Sequence, residues 1–144
     1  MLRNTADAQA DVARFIKRVA EADVVWYLAS ERGPAISSSN AVPEDDLEPA
    51  KVLLFFSDRA YAKRAQVASF PKHQVASMQL FDFMYRWLPG MSRDGVLAGP
   101  NWTANLMGLE LDPFELRKSI SAAMRQDHSD RHEELYRQLS TPSK

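Results

Sequence analysis

One short stretch narrows what this chain can fold into. Val52-Leu53-Leu54-Phe55-Phe56 is an unbroken apolar run, stopped at once by Ser57-Asp58. A continuous apolar run this short, with a sharp polar end, is the pattern of a strand buried on both faces. Residues 51–56 are therefore expected to form a central strand. A second run, Val24-Val25-Trp26-Tyr27-Leu28, is β-branched, aromatic and aliphatic, and reads as a strand over 23–30. Glu31-Arg32-Gly33-Pro34 reads as a turn, and 35–39 as the return strand of a hairpin. Further strands are expected at 73–78, and as a hairpin pairing 96–98 with 106–111 around Pro100-Asn101-Trp102.

Between these strands the apolar period changes to that of helices. Val12, Phe15, Ile16 and Val19 recur at i, i+3, i+4 and i+7, behind a cap at Asn4 or Thr5. Ser57 or Asp58 caps a helix holding Tyr61, Ala65 and Ala68, which Phe70-Pro71 ends. Leu80, Phe83, Met84 and Trp87 make a second stripe, closed by Pro89-Gly90. Asp112-Pro113-Phe114-Glu115 carries a capping aspartate, a first-turn proline and a capping-box glutamate, with Leu116, Ile120, Ala123 and Met124 as the buried face. The order α-β-β-β-α-β-α-β-β-α predicts an α+β fold: a single domain over 1–126 with helices packed on a mixed or mainly antiparallel sheet. Residues 127–144 are polar and are expected to be a tail, with a short helix at 133–139 supported by Glu133 and Arg137, then disorder.

A chain of 144 residues buries roughly 68–70% of its unfolded surface on folding, so it needs no disulfide or metal to stay folded. It has no cysteine, which removes thiol nucleophiles and thiolate metal sites. A net charge of −1 gives no field that points to nucleic acid or to a membrane. The basic cluster Arg14, Lys17, Arg18 reads as a solvated helix face. The polar start is not expected to act as a secretory signal, and no stretch nears the ~20 apolar residues of a membrane helix. A soluble, cytoplasmic protein is expected.

Several motifs occur in the order of a known family: the 15–19 helix segment, Val25-Trp26, the run from Phe56 through Ser57, Asp58 and Tyr61 to Ala62, and Trp87-Leu88-Pro89-Gly90-Met91. Asp94 to Gly99, Asn101-Trp102, the 106–110 segment and Pro113-Phe114-Glu115-Leu116 follow. Over roughly 10–125 the chain resembles the bacterial domain of unknown function 2750 family. The resemblance implies a small stand-alone bacterial cytoplasmic protein and carries no established activity, cofactor or substrate. The chain departs from the family in a longer, more acidic 35–50 stretch. It also departs in apolar groups at Phe81, Met84 and Tyr85, where members more often carry acids.

No catalytic residue, metal ligand or cofactor is assigned from the sequence. His128 and His132 are four apart and can share a helix face. Two imidazoles need a third ligand, for which Glu133 or Asp127 is to hand, and the segment reads as a solvated tail. His73 reads as structural or exposed. The acidic loop at 44–48 lacks the order of a calcium loop, and whether it takes a cation is left open. Ser37, Ser38 and Ser39 stand in no nucleophile-elbow motif.

The aromatic residues carry the functional expectations. Phe81, Tyr85 and Leu88 lie beside the core stripe of their helix, and a helix apolar nearly all round needs more cover or a partner. A non-enzymatic interaction domain is expected, meeting a protein partner or itself through Phe81, Tyr85 and Leu88. Toxin-neutralising immunity proteins are one subtype, by analogy of shape. The alternative is a small-molecule-binding or enzymatic domain with an aromatic-lined pocket at Trp26, Trp87, Asn101 and Trp102.

Overall fold

The computed structural model describes residues 5–39 and 49–140. The capping candidate Asn4 and the acidic 44–48 loop lie outside the described residues. The chain folds as α1 (Thr5–Ala22), β1 (Val24–Ser30), β2 (Gly33–Pro34), β3 (Ile36–Ser38), β4 (Lys51–Phe55), α2 (Arg59–Ser69) and β5 (Gln74–Gln79). A helix over 80–93, α3, follows, then β6 (Leu97–Pro100), α4 (Pro113–Ala123) and α5 (Gln126–Ser140).

The strands form two small sheets, ordered β2-β1-β5 and β3-β4-β6. All pairings but one are antiparallel, and β4 runs parallel to β6. The two sheets are stitched together. Trp26 and Phe56 exchange backbone hydrogen bonds of 2.9 and 2.8 Å. The expected hairpin is displaced: Gly33–Pro34, expected as turn, pair with β1, whereas Ile36–Ser38 of the expected return strand leave β1 after Ala35 and pair with β4. The described helices pack on these sheets to make a single α+β domain.

The apolar run behaves as its composition requires. Val52, Leu53, Leu54, Phe55 and Phe56 are all buried, and alternate residues enter two separate cores. On one side, Phe83 of α3 meets Phe55 at 4.6 Å and Phe15 of α1 at 6.0 Å, both edge-on. Each such fully buried ring contributes about 1.5–3 kcal/mol. On the other side, Leu54 and Phe56 pack with Leu28, Ala62, Ala65 and Trp102.

The expected stop at Pro89-Gly90 does not occur. Residues 83–87 form a π-helical turn, and the helix runs on as Leu88–Arg93. The wider turn places the Leu88 N–H on the Phe83 carbonyl, five residues back. Proline normally breaks a helix by clashing with the carbonyl four residues earlier, and the widened turn just ahead of Pro89 lets the helix pass through it. The extra residue per turn also rotates the buried stripe, so Leu80, Phe83 and Met84 are followed by Leu88 and Met91. The helix ends instead at Asp94 and Gly95, the latter at φ 71°.

The second strand of the final hairpin is also missing. Only Leu111 pairs with β6, through an isolated bridge to Ala98. The chain between them loops round the Trp102 ring, with Thr103 and Met107 joined by a 2.9 Å backbone hydrogen bond. The polar C-terminal segment is a 15-residue helix, and its His132 and Tyr136 lie against α3. No helix among the described residues is long and apolar enough to cross a membrane.

Candidate functional site

Because β4 and β6 run parallel, their carboxyl ends open on the same side. That brings Ser57-Asp58 beside Asn101-Trp102, with the Asn101 N–H donating to the Phe55 carbonyl at 2.8 Å. Asn101 is 5% exposed and holds a left-handed backbone, φ 52°. Asparagine tolerates this conformation better than most residues. Its side chain ties three segments together. Oδ1 accepts the Ser57 backbone N–H at 2.9 Å, and Nδ2 donates to Ser57 Oγ at 2.9 Å and to the Asp11 carbonyl of α1 at 3.4 Å.

Above this knot lies a cleft of about 420 Å³, lined by Asp11, Arg14, Tyr61, Arg64 and 101–104. Asp11 sits in the buried stripe of α1, in line with Ala8, Phe15 and Val19, and accepts from Arg14 at 3.0 Å. Arg18, one turn further on, donates to Asp58 Oδ2 at 2.6 Å and to the Tyr61 hydroxyl at 3.1 Å. Asp58 occupies the cap position of α2, but its carboxylate makes no capping bond because Arg18 and the Ser57 hydroxyl hold it. Partial burial pushes the Asp58 carboxyl up; the hydrogen bonds from Arg18 and Ser57 outweigh this and hold it below the usual range. Arg64 approaches the Tyr61 ring at 5.3 Å and has no carboxylate within salt-bridge reach among the described residues. Among the described residues, the cleft is lined by two guanidinium groups, Arg14 and Arg64, and one carboxylate, Asp11.

Chemically, the cleft offers guanidinium donors from α1 and α2, the Tyr61 phenol, the Trp102 indole and a buried amide beneath them. The Ser57 hydroxyl donates to Asp58 at 2.6 Å and accepts from Asn101, so it acts as a strut.

Of the aromatic pocket residues expected from sequence, Asn101 and Trp102 meet at this cleft. Trp26 packs in the same core as Trp102, whereas Trp87 lies in the other core, 5.2 Å from Tyr27 and 6.0 Å from Phe55. The three tryptophans therefore line no common pocket. Of the expected interface residues, Leu88 is fully buried. Phe81 and Tyr85 are half-buried under α5, where Tyr85 stacks on Tyr136 at 4.8 Å and Phe81 meets His132 at 5.5 Å. Tyr85's phenol is pushed up by burial, with Arg117 acting in the opposite sense.

Asp11, Arg14, Arg18 and Arg64 are site residues that the sequence pattern did not single out for a ligand. Asp11 carried the one available signal, a carboxylate set four residues before Phe15 on the apolar stripe.

Residues 12–120 match the family described as Protein of unknown function (DUF2750). The chain belongs to that family. No curated protein and no solved structure matches it. Apart from Asp11, every cleft residue named above lies inside the DUF2750 stretch, as does Asp23. The helix bearing His128 and His132 lies beyond it.

Proposed function

We propose that this DUF2750 chain is a small-molecule-binding domain that takes an anionic ligand in the cleft over Asn101. The observation that carries the reading is the Arg64 guanidinium, which has no carboxylate partner among the described residues, lining a cleft whose floor is fixed by a buried asparagine. Two motif segments that carry the family resemblance, 56–62 and Asn101-Trp102, converge on this one place. Open sheets bind ligands beyond the carboxyl ends of parallel strands, and β4 and β6 are such a pair. Arginine forks suit carboxylate and phosphate groups, and the Tyr61 and Trp102 rings suit a planar or apolar body.

The test is thermal unfolding with inorganic phosphate, a nucleoside monophosphate and an aromatic carboxylate. A ligand at a hundred times its Kd stabilises the fold by about 2.7 kcal/mol, which raises Tm by several degrees. Arg64→Ala, at an exposed site, is expected to leave the unliganded Tm within about a degree and to abolish the rise. A flat response to all three probes, or a rise that survives Arg64→Ala, would sink the reading.

A second reading keeps an interaction role for the α3–α5 surface. Although α5 covers Phe81 and Tyr85, it exposes apolar groups of its own: Leu135 at 47%, Tyr136 at 41% and Leu139 at 62%. The occupant we infer is a second copy of this chain. Light scattering should then show a dimer that Leu135→Asp/Leu139→Asp turns into a monomer. A wild-type monomer at every concentration removes the support for this reading.

A further inference from the structure

Three side chains able to bind metal meet where the end of α1 touches α5. Asp23 Oδ1 lies 3.0 Å from His128 Nε2 and 3.5 Å from His132 Nε2, and the two imidazole nitrogens are 3.1 Å apart. We propose that Asp23, His128 and His132 form a binding site for one divalent transition-metal ion of the zinc class. A triangle with these edges has a point about 2 Å from every corner, the usual length of zinc–nitrogen and zinc–oxygen bonds. The edges also lie near the ~3.3 Å expected between ligand atoms around a tetrahedral ion with such bonds. Three potential ligand atoms lie together. One proton bridges two of them, whereas a cation can be bound by all three.

The surroundings favour that use. Asp23 follows α1 directly in the left-handed region, φ 62°, and its N–H donates to the Val19 carbonyl at 2.9 Å. A carboxylate here faces the negative end of the helix dipole, and the last turn of α1 has no basic residue to offset it. A nearby cation relieves both. His132 is 6% exposed, its ring meets those of Phe81 and Tyr85, and its Nδ1 has no hydrogen-bond partner among the described residues. Nε2 therefore makes all of that ring's polar contacts. The His128 and Asp23 side chains remain 25% and 47% exposed, leaving a bound ion open to water or a ligand on its outer side.

Two imidazoles and one carboxylate suit zinc, cobalt, nickel or copper better than magnesium or calcium. Because His128 is 105 residues from Asp23 in sequence, an ion would clamp α5 to the junction of α1 and β1.

Metal uptake by the full chain tests the site, using Co²⁺ for its visible spectrum and Zn²⁺ for stoichiometry. One ion per chain is expected, together with a rise in Tm. His128→Ala and Asp23→Gly should each weaken Co²⁺ binding at least about tenfold, while His73→Ala leaves it unchanged. Glycine relaxes the left-handed backbone, so Asp23→Gly should keep the metal-free Tm at or above that of wild type and lose only the metal-induced rise. No uptake at micromolar metal would overturn the proposal. So would uptake that is undiminished in both His128→Ala and Asp23→Gly.

Discussion

Asn101→Ala is expected to lower the free energy of unfolding by about 3 kcal/mol, read as a lower urea midpoint at unchanged slope. Two losses add. The buried Ser57 N–H, which now donates to Asn101 Oδ1 at 2.9 Å, is left without that acceptor, a loss of about 1–3 kcal/mol. Alanine also sits poorly at φ 52°, which costs roughly a further 1 kcal/mol. Asn101→Gly separates the two, since glycine keeps the backbone relaxed and removes only the side-chain bonds. It should therefore be roughly 1 kcal/mol less damaging than Asn101→Ala. If the two variants prove equally stable, backbone conformation plays no part in holding the cleft floor.

Gly108→Ala should be about as damaging, for a steric reason. The Trp102 indole is clamped between two glycines. A Cβ at Gly108 would lie 2.3 Å from Trp102 Cδ1, and one at Gly99 would lie 2.7 Å from Nε1 and 2.9 Å from Val52 Cγ1. The ring has no room to retreat, because it is 3% exposed and its N–H is bound to the Leu109 carbonyl at 2.8 Å. Overpacking of a filled core costs about 1–3 kcal/mol, and a rigid ring against backbone belongs at the upper end. The expected result is a Tm lower by roughly 10 °C and a red-shifted tryptophan emission as the indole is pushed toward water. Unchanged stability and emission would mean that the loop over 103–109 gives way freely and does not grip the ring.

Much of the architecture was legible because local pattern and global fold agree here. The 52–56 run had to be a doubly buried strand, Phe70-Pro71 did end α2, and Asp112 does cap α4 by accepting the Glu115 N–H at 3.0 Å. Other features depend on contacts that sequence spacing does not encode. Pro89-Gly90 is a stop signal in an ordinary α-helix, and only the π turn ahead of it removes the clash. The Leu106–Leu111 stretch has strand composition, but it meets β6 only at Leu111 and otherwise packs round the Trp102 indole. Phe81 and Tyr85 read as unpartnered because the helix that covers them is polar overall, though its His132 and Tyr136 rings meet them.

The sites divide in the same way. Asn101 and Trp102 stood out as a loop asparagine next to a tryptophan, and both line the cleft. The cations reached it from α1 and α2, along faces that look like ordinary solvated helix surface, and Asp11 reached it from the buried stripe of α1. The His128–His132 spacing was visible, with Glu133 or Asp127 as the nearest acids, yet Asp23 is the carboxylate that reaches those imidazoles. A third group so distant in the chain has no local signature; the topology alone delivers it.

Amide chemical shifts probe the cleft at the ends of β4 and β6 directly. Titrating the labelled chain with inorganic phosphate and with an aromatic carboxylate should move the signals of residues 57–64 and 101–104 together. The movement should saturate and should disappear in Arg64→Ala. Signals that stay still with both probes, or that shift instead along α5 and the Phe81 face, would contradict a ligand site over Asn101.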